Sequence, residues 1–380
     1  MEANKRFSQF VPARLVAARE AQGLTLTDLE EIVGISHQSI SNYEKGKKSP
    51  SYETLDKLSS TLAVPVTYFY KPIAVENNSV VFFRSKSMAT QKSKNVHANK
   101  VVNMQEIYNY LDQYLNFPAL DIPRFIEREN YIPTDFNDID HMASDLRKHW
   151  GLGAGPISNM VLLLEKKGAV VSRSPSTTYS IDACSIIGEG GRPFILLSDD
   201  KTSARSRFDI AHELGHIVLH SKLKKTEFNK KEVYKLIEKE ANRFASSFLL
   251  PSSSFGTEVV STSIDHLISL KNRWKVSIQM MAYTANALGV FSDYQHIYIR
   301  QKLAKDNMLK SEPLDKELPF EEPSMLKQAV EAIVENRLKT KQDFVSDLCL
   351  PRQLIEEITN VRPGYFHNDD TGKVIQLTFR

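Results

Sequence analysis

Apolar positions recur along this chain with two periods, and the change of period divides it. From Phe7 to Tyr70 short helical runs alternate with turn signals at Gly23, Gly34, Gly46 and Pro50. Val11, Leu15, Leu24, Leu29, Ile32, Val33, Ile35, Ile40, Tyr43, Leu55, Leu58 and Leu62 supply a small core, so residues 8–72 are expected to form an all-α bundle. The next stretch loses the pattern. Arg84, Lys86, Lys92, Lys94 and Lys100 follow one another with no acidic residue between them, which predicts a solvated basic linker over 84–100. A helix is expected after it, with Met104, Ile107, Tyr108, Leu111, Tyr114 and Leu115 on one face; Pro118, Pro123 and Pro133 then punctuate the chain, so 73–137 is expected to be linker and helical connector.

Residues 138–300 mix the two periods. Helices are predicted near 141–150, 157–167, 203–221, 230–250, 262–273 and 277–288, and short β runs at 169–173, 181–187 and 193–198. That is an α+β domain with a small β-sheet. Residues 301–380 open on an acidic stretch containing Pro313, Pro319 and Pro323, continue as helical segments, and include one alternating strand near 373–379. This mostly helical C-terminal region carries no motif of chemical meaning, and no internal repeat marks the chain.

Composition narrows the class. The 380 residues are 41% hydrophobic and 25% charged, ordinary for a globular protein. No apolar run reaches the roughly 18 residues a membrane span needs, so no membrane partner is expected. The polar opening segment Met1–Phe10 has no apolar stretch of a secretion signal. Cys184 and Cys349 are the only cysteines, too few for a disulfide framework or a thiolate metal site, and a cytoplasmic location fits them. A net charge of +3 does not by itself demand a nucleic-acid partner.

The chemistry concentrates in His212-Glu213-Leu214-Gly215-His216. Histidines four apart on a helix lie one turn apart on one face, so both imidazoles reach a single ion. Glu213, about 100° round the helix, can address a water there as general base. Ile210, Ala211, Leu214, Ile217, Val218 and Leu219 surround the motif with apolar side chains, the signature of a core helix. Zinc needs a third protein ligand. The following helix has an apolar stripe of Val233, Ile237, Ala241, Phe244 and Phe248, and Glu240 points with it, whereas Glu238 lies at its edge and Glu232 outside. A core-facing carboxylate is costly unless paired or metal-bound, so Glu240 is the expected third ligand. His220 continues the row and is expected behind the ligands or at the helix end.

Arg205-Ser206-Arg207-Phe208-Asp209-Ile210-Ala211 before the motif, Ile217-Val218-Leu219-His220 after it, Glu240-Ala241-Asn242-Arg243-Phe244-Ala245 and Leu250-Pro251 together resemble the ImmA/IrrE metallopeptidases. Trp150-Gly151-Leu152-Gly153, Gly155-Pro156-Ile157, Leu164-Glu165, Ile181-Asp182-Ala183, Arg192-Pro193-Phe194 and Trp274-Lys275-Val276-Ser277 extend the resemblance over about 140–300. It implies a zincin-like domain with a gluzincin-type site: His212, His216 and Glu240 on zinc, and Glu213 as base. It also implies a substrate class, since such peptidases cut repressor proteins. The strand at 193–198 is expected to present an open edge on which an extended substrate adds. Tyr179, Tyr283 and His296 all remain candidates for steadying the oxyanion.

Residues 11–70 resemble the XRE/Cro-type helix-turn-helix through Leu15, Ala18-Arg19, Gly23-Leu24-Thr25, Leu29, Val33-Gly34-Ile35-Ser36, Ser39-Ile40-Ser41-Asn42-Tyr43-Glu44, Gly46, Pro50-Ser51, Leu55, Leu58 and Leu62. Ser36 is expected to cap the recognition helix. His37, Gln38, Ser39, Ser41 and Asn42 then offer base-edge contacts, and Lys45, Lys47 and Lys48 phosphate contacts. Glu30 departs from the pattern, standing where such domains usually place alanine. Residues 1–72 hold nine Lys/Arg against eight Asp/Glu, which implies modest non-specific DNA affinity and leaves a protein-binding bundle as the alternative. The basic linker can add phosphate contacts or serve as a plain spacer.

Together these features lead to a DNA-binding transcriptional regulator with a zinc-dependent endopeptidase domain. Its expected partners are double-stranded DNA, a second copy of itself in a homodimer, and a substrate that is a repressor or antitoxin-like protein or its own chain. The alternative is a transcription factor whose peptidase-like domain senses a metal or ligand without cutting.

Overall fold

The computed structural model describes residues 9–73, 81–84, 90–175 and 181–367. The chain divides into two compact units: Met1–Glu76 with Thr90–Asn116 and Ser324–Arg380, and Asn77–Ala89 with Phe117–Pro323. These boundaries differ from a simple order of bundle, linker, domain and tail, because the chain enters the second unit twice.

The first unit opens with α1 (Pro12–Ala21), α2 (Leu26–Val33), α3 (His37–Glu44) and α4 (Tyr52–Leu62), then a 3-10 turn at Val66–Tyr70. Thr25 and Asp28 close a capping box at the start of α2, and Gly34 ends it with φ +69°, a left-handed conformation that favours glycine. Leu15, Leu29, Ile40, Leu55, Leu58, Leu62 and Phe69 fill the core. Ile32, expected in that core, is exposed, because Leu29 and Val33 one turn apart take the inward face of α2.

Residues 91–100, expected as solvated linker, are instead the first half of α5 (Gln91–Leu111), capped by the Thr90 side chain. The lysine run masks an apolar face: Val96, Val101, Met104, Ile107 and Leu111 are all buried. Glu106, also buried, receives Arg14 Nη2 at 2.7 Å and Lys71 Nζ at 2.9 Å. This paired carboxylate ties α5 to α1 and to the chain following the 3-10 turn.

The second unit begins with a strand not foreseen in the sequence, β1 (Val81–Arg84). It continues with α6 (Phe136–His149), α7 (Met160–Lys166), β2 (Val170–Ser174), β3 (Ala183–Ile187), β4 (Pro193–Ser198), α8 (Ser203–His220), α9 (Lys225–Phe228) and α10 (Lys231–Leu249). Then come α11 (Ser252–Glu258), α12 (Ile264–Trp274), α13 (Ile278–Ala287) and α14 (Asp293–Lys305). The sheet order is β1-β3-β4-β2, with β2 parallel to β4 and the other two pairs antiparallel. β4 is therefore interior and has no open edge, contrary to the expectation for 193–198.

Nearly every residue of α8 is buried. It packs closely on α10 at Gly215, where a Cβ would lie 3.1 Å from the Ala241 carbonyl oxygen and 3.2 Å from its Cα. Phe244, Phe248, Trp150 and Trp274 build the surrounding apolar core. Lys271, fully buried, is neutralised by Glu312 at 2.9 Å and by Asp315.

The chain returns to the first unit as α15 (Met325–Glu335), α16 (Lys341–Leu348) and α17 (Arg352–Thr359), which pack on α5. Tyr110 donates to Asp347 at 2.9 Å, and Lys100 pairs with Glu357 at 2.6 Å. The C-terminal helices thus complete the N-terminal unit. The strand expected at 373–379 lies outside the described residues. No helix among the described residues is long and apolar enough to cross a membrane.

Removing one partner of a buried ion pair leaves the other charge without compensation. Glu106→Ala strands both Arg14 and Lys71, so it is expected to destabilise the first unit by about 3–5 kcal/mol in urea denaturation. A loss below about 1 kcal/mol, the range of exposed pairs, would contradict this role.

Candidate metal centre and DNA-reading helix

On α8, His212 and His216 turn their Nε2 atoms toward each other at 2.9 Å. Glu238 of α10 completes the group, its oxygens 3.4 Å from His212 Nε2 and 3.2 Å from His216 Nε2. One ligand atom from each lies within 4.8 Å of the others, the one such His/Cys/Asp/Glu cluster found among the described residues.

Glu240, expected as the third ligand, is not at this centre. Its carboxylate accepts from Tyr131 Oη at 2.6 Å and the Thr134 amide at 2.9 Å, and meets His220 Nε2 at 3.0 Å. The apolar face of α10 is broad, and its phase relative to α8 is set by the Gly215–Ala241 approach. That approach turns Glu238 and Asn242, one helical turn apart, toward the histidines, and sends Glu240 to the side of Tyr131 and Thr134.

The surroundings assign the histidine tautomers. His212 Nδ1 lies 3.0 Å from Asn242 Oδ1, an acceptor, so Nδ1 carries the proton and Nε2 a lone pair. His220 Nε2 donates to Glu240, which makes His220 Nδ1 an acceptor; His216 Nδ1, 3.1 Å away, then donates to it and also keeps a lone pair on Nε2. Two lone pairs and a carboxylate thus converge with no proton among them. Such a set is satisfied by a cation, and nitrogen, nitrogen and oxygen donors suit zinc. Burial lowers His212 to about 3 and His220 to about 4, so both stay neutral at physiological pH.

Glu213 is fully buried beside this centre. The Ser185 hydroxyl, from β3, donates to its Oε2, while its Oε1 has no partner among the described residues. Burial raises its pKa to about 7, partly opposed by the hydrogen bond from Ser185. Such a group takes up and releases a proton near neutrality. Phe82 of β1 stacks on the His216 ring at 5.0 Å and 13°. Tyr234 of α10 donates to the Phe83 carbonyl oxygen at 3.1 Å.

Sequence reasoning missed Ser185, Tyr234, Asn242 and the β1 residues. Only Asn242 had a usable signal, its one-turn spacing from Glu238. Of the oxyanion candidates, Tyr179 lies outside the described residues, and Tyr283 and His296 meet each other at 6.4 Å between α13 and α14.

In the first unit, Ser36 caps α3 by accepting from the Ser39 amide at 3.3 Å. His37, Gln38, Lys45 and Lys47 are exposed, and Ser39 and Asn42 are half-buried. Ser41, expected among the DNA contacts, is buried on the side of the bundle core and leaves that group. Arg19 of α1 braces the end of α3 through two bonds to Glu44, at 2.7 and 3.0 Å. Glu30 is half-buried without displacing Leu29 from the core, so the departure at that position leaves the bundle intact.

Residues 164–286 match the family model described as IrrE N-terminal-like domain, and residues 15–69 match the one described as Helix-turn-helix. No curated protein matches the chain. The chain is an N-terminal XRE-type helix-turn-helix domain fused to an ImmA/IrrE-like domain.

Groups that orient metal ligands from behind contribute about 10–100-fold in affinity. In a chelator-competition titration with zinc, Glu240→Gln is expected to weaken binding within that range, and Glu238→Ala by more. The reverse order would return Glu240 to the ligand set.

Proposed function

We propose that the chain is a DNA-binding transcriptional regulator carrying a zinc-dependent endopeptidase. The observation that carries this reading is the buried Glu213 Oε1, without a partner among the described residues, beside three convergent side chains able to hold a metal. His212, His216 and Glu238 would hold the zinc, which supplies Lewis-acid chemistry to such a site when bound. Glu213 is the general base: its free oxygen holds the proton taken from the attacking water and returns it to the leaving amine. Ser185 fixes the other oxygen, so the free one keeps its aim. Asn242, His220 and Glu240 hold the two imidazoles in the tautomers that keep their Nε2 lone pairs inward.

A helix-turn-helix on the same chain favours a regulatory protein as substrate: a repressor, an antitoxin-like protein, or the chain itself. Domains of this type read palindromic half-sites as dimers, so a homodimer on double-stranded DNA is part of the proposal. One observation favours a second reading, a metal or ligand sensor that does not cut: β1 lies over the centre, with Phe82 on His216.

The readings separate by substitution. Zinc-loaded protein incubated with candidate repressors is expected to yield cleavage products that Glu213→Gln abolishes. If nothing is cut, the chain included, and His212→Ala but not Glu213→Gln disturbs regulation, the sensor reading stands. For DNA, Gln38→Ala is expected to cost about 1–3 kcal/mol on the specific site, while Lys47→Ala weakens binding to all sequences and lowers the salt slope by about 1. Equal losses for Gln38→Ala on specific and random DNA would remove it from the readers.

A further inference from the structure

β1 pairs antiparallel with the outer edge of β3 in a fixed register: Val81 opposite Ile186, Phe82 opposite Ser185, Phe83 opposite Cys184, and Arg84 opposite Ala183. Ser185 is the residue whose hydroxyl holds Glu213. A strand in this register therefore runs directly past the base and the metal-ligating histidines. Adding a strand to a sheet edge is a general way to hold an extended peptide, with main-chain bonds for affinity and side-chain pockets for specificity.

Both kinds of contact are present. The Phe82 ring lies flat on His216 and edge-on to Phe228 at 5.2 Å, and is buried. The Tyr234 hydroxyl donates to the Phe83 carbonyl. Arg84 ion-pairs with Asp209, lies over the Phe208 ring at 4.7 Å, and donates to Asn242 Oδ1 at 3.2 Å. Asp209 is buried, and its other oxygen has no partner among the described residues. Arg205 is in electrostatic reach but donates to Asp182 instead. A buried carboxylate that loses its cation is strongly disfavoured, so whatever replaces β1 must bring a cation to Asp209. The planar guanidinium suits this place, with one edge on a carboxylate and its face on a ring. Arg84 also lines a cavity of about 580 Å³ together with Phe208, Asn242, Met280 and Tyr283.

We propose that the outer edge of β3 is the substrate-strand site, that β1 fills it as a tethered stand-in, and that peptides accepted there carry an aromatic side chain where Phe82 sits and an arginine where Arg84 sits. This rests on the peptidase reading for its use of the word substrate. It adds that a substrate must displace β1, and it names the recognition pattern. Displacement also reaches beyond the site by chain continuity alone, because β1 lies in the segment Asn77–Ala89 that joins two stretches of the first unit.

Binding tests it without relying on turnover. The probe is a fluorescent peptide containing Val-Phe-Phe-Arg, titrated into the full chain carrying Glu213→Gln, with native β1 or with Phe82→Ser and Arg84→Ser. The peptide is expected to bind the chain with the altered strand at least about tenfold more tightly. Replacing its first phenylalanine or its arginine by serine, or introducing Asp209→Asn, is expected to remove most of that gain. Equal affinity for both chains, or for peptides with and without these two side chains, overturns the proposal. Hydrogen exchange on the chain with native β1 gives an answer that does not depend on the altered strand folding. Excess peptide is expected to speed exchange in β1 while β3 stays protected; unchanged β1 exchange overturns it. A chain that binds peptides by this pattern but never cuts them retains this inference and loses the peptidase reading. One that cuts without the pattern does the reverse.

Discussion

The close approach of α8 and α10 at Gly215 governs the rest of the second unit. A Cβ at this position would stand against the Ala241 backbone, which cannot yield as a side-chain tip can. With hydrogen there, α10 seats deeply on α8 and its rotation is set. Glu238 is carried to the histidines, Asn242 to the far side of His212, and Glu240 to His220. Ligands, their orienting partners and the buried relay all follow from one glycine and one helix phase.

Two buried charges elsewhere are matched by paired groups of opposite sign. Glu106 answers two cations in the first unit, and Lys271 answers two acids in the second. Glu213, like one oxygen of Asp209, departs from that pattern. It is fully buried, with one oxygen held by Ser185 and the other without a partner among the described residues. A carboxylate oxygen left without a partner at that depth costs stability. The role of base proposed for Glu213 needs that oxygen open to receive a proton.

The sequence made much of this legible, and its failures have physical causes. The β runs expected at 169–173, 181–187 and 193–198 and six helices of the second unit were readable because period and punctuation agree there, whereas α9, α11 and α14 were not expected. The histidine pair and Glu213 were readable because their relation is local to one helix. Glu240 was preferred to Glu238 because helix phase within α10 shows only which residues leave solvent, not which neighbour they meet; that depends on the nonlocal contact at Gly215. β1 went unseen because four residues beside a cationic run carry almost no periodicity, and its pairing with β3 spans about a hundred residues of chain. The same cationic run concealed the buried face of α5. Ser41 was grouped with the DNA contacts by its place in the recognition helix, although the core claims that face.

The central claim is that His212, His216 and Glu238 together hold a metal ion with Glu213 beside it. Anomalous diffraction at the zinc edge from crystals of the zinc-loaded chain measures this directly. One zinc peak is expected per chain, bound by the two Nε2 atoms and the Glu238 carboxylate, with Glu240 still on His220. A peak bound by Glu240 in place of Glu238, or no peak between the two histidines, would contradict it.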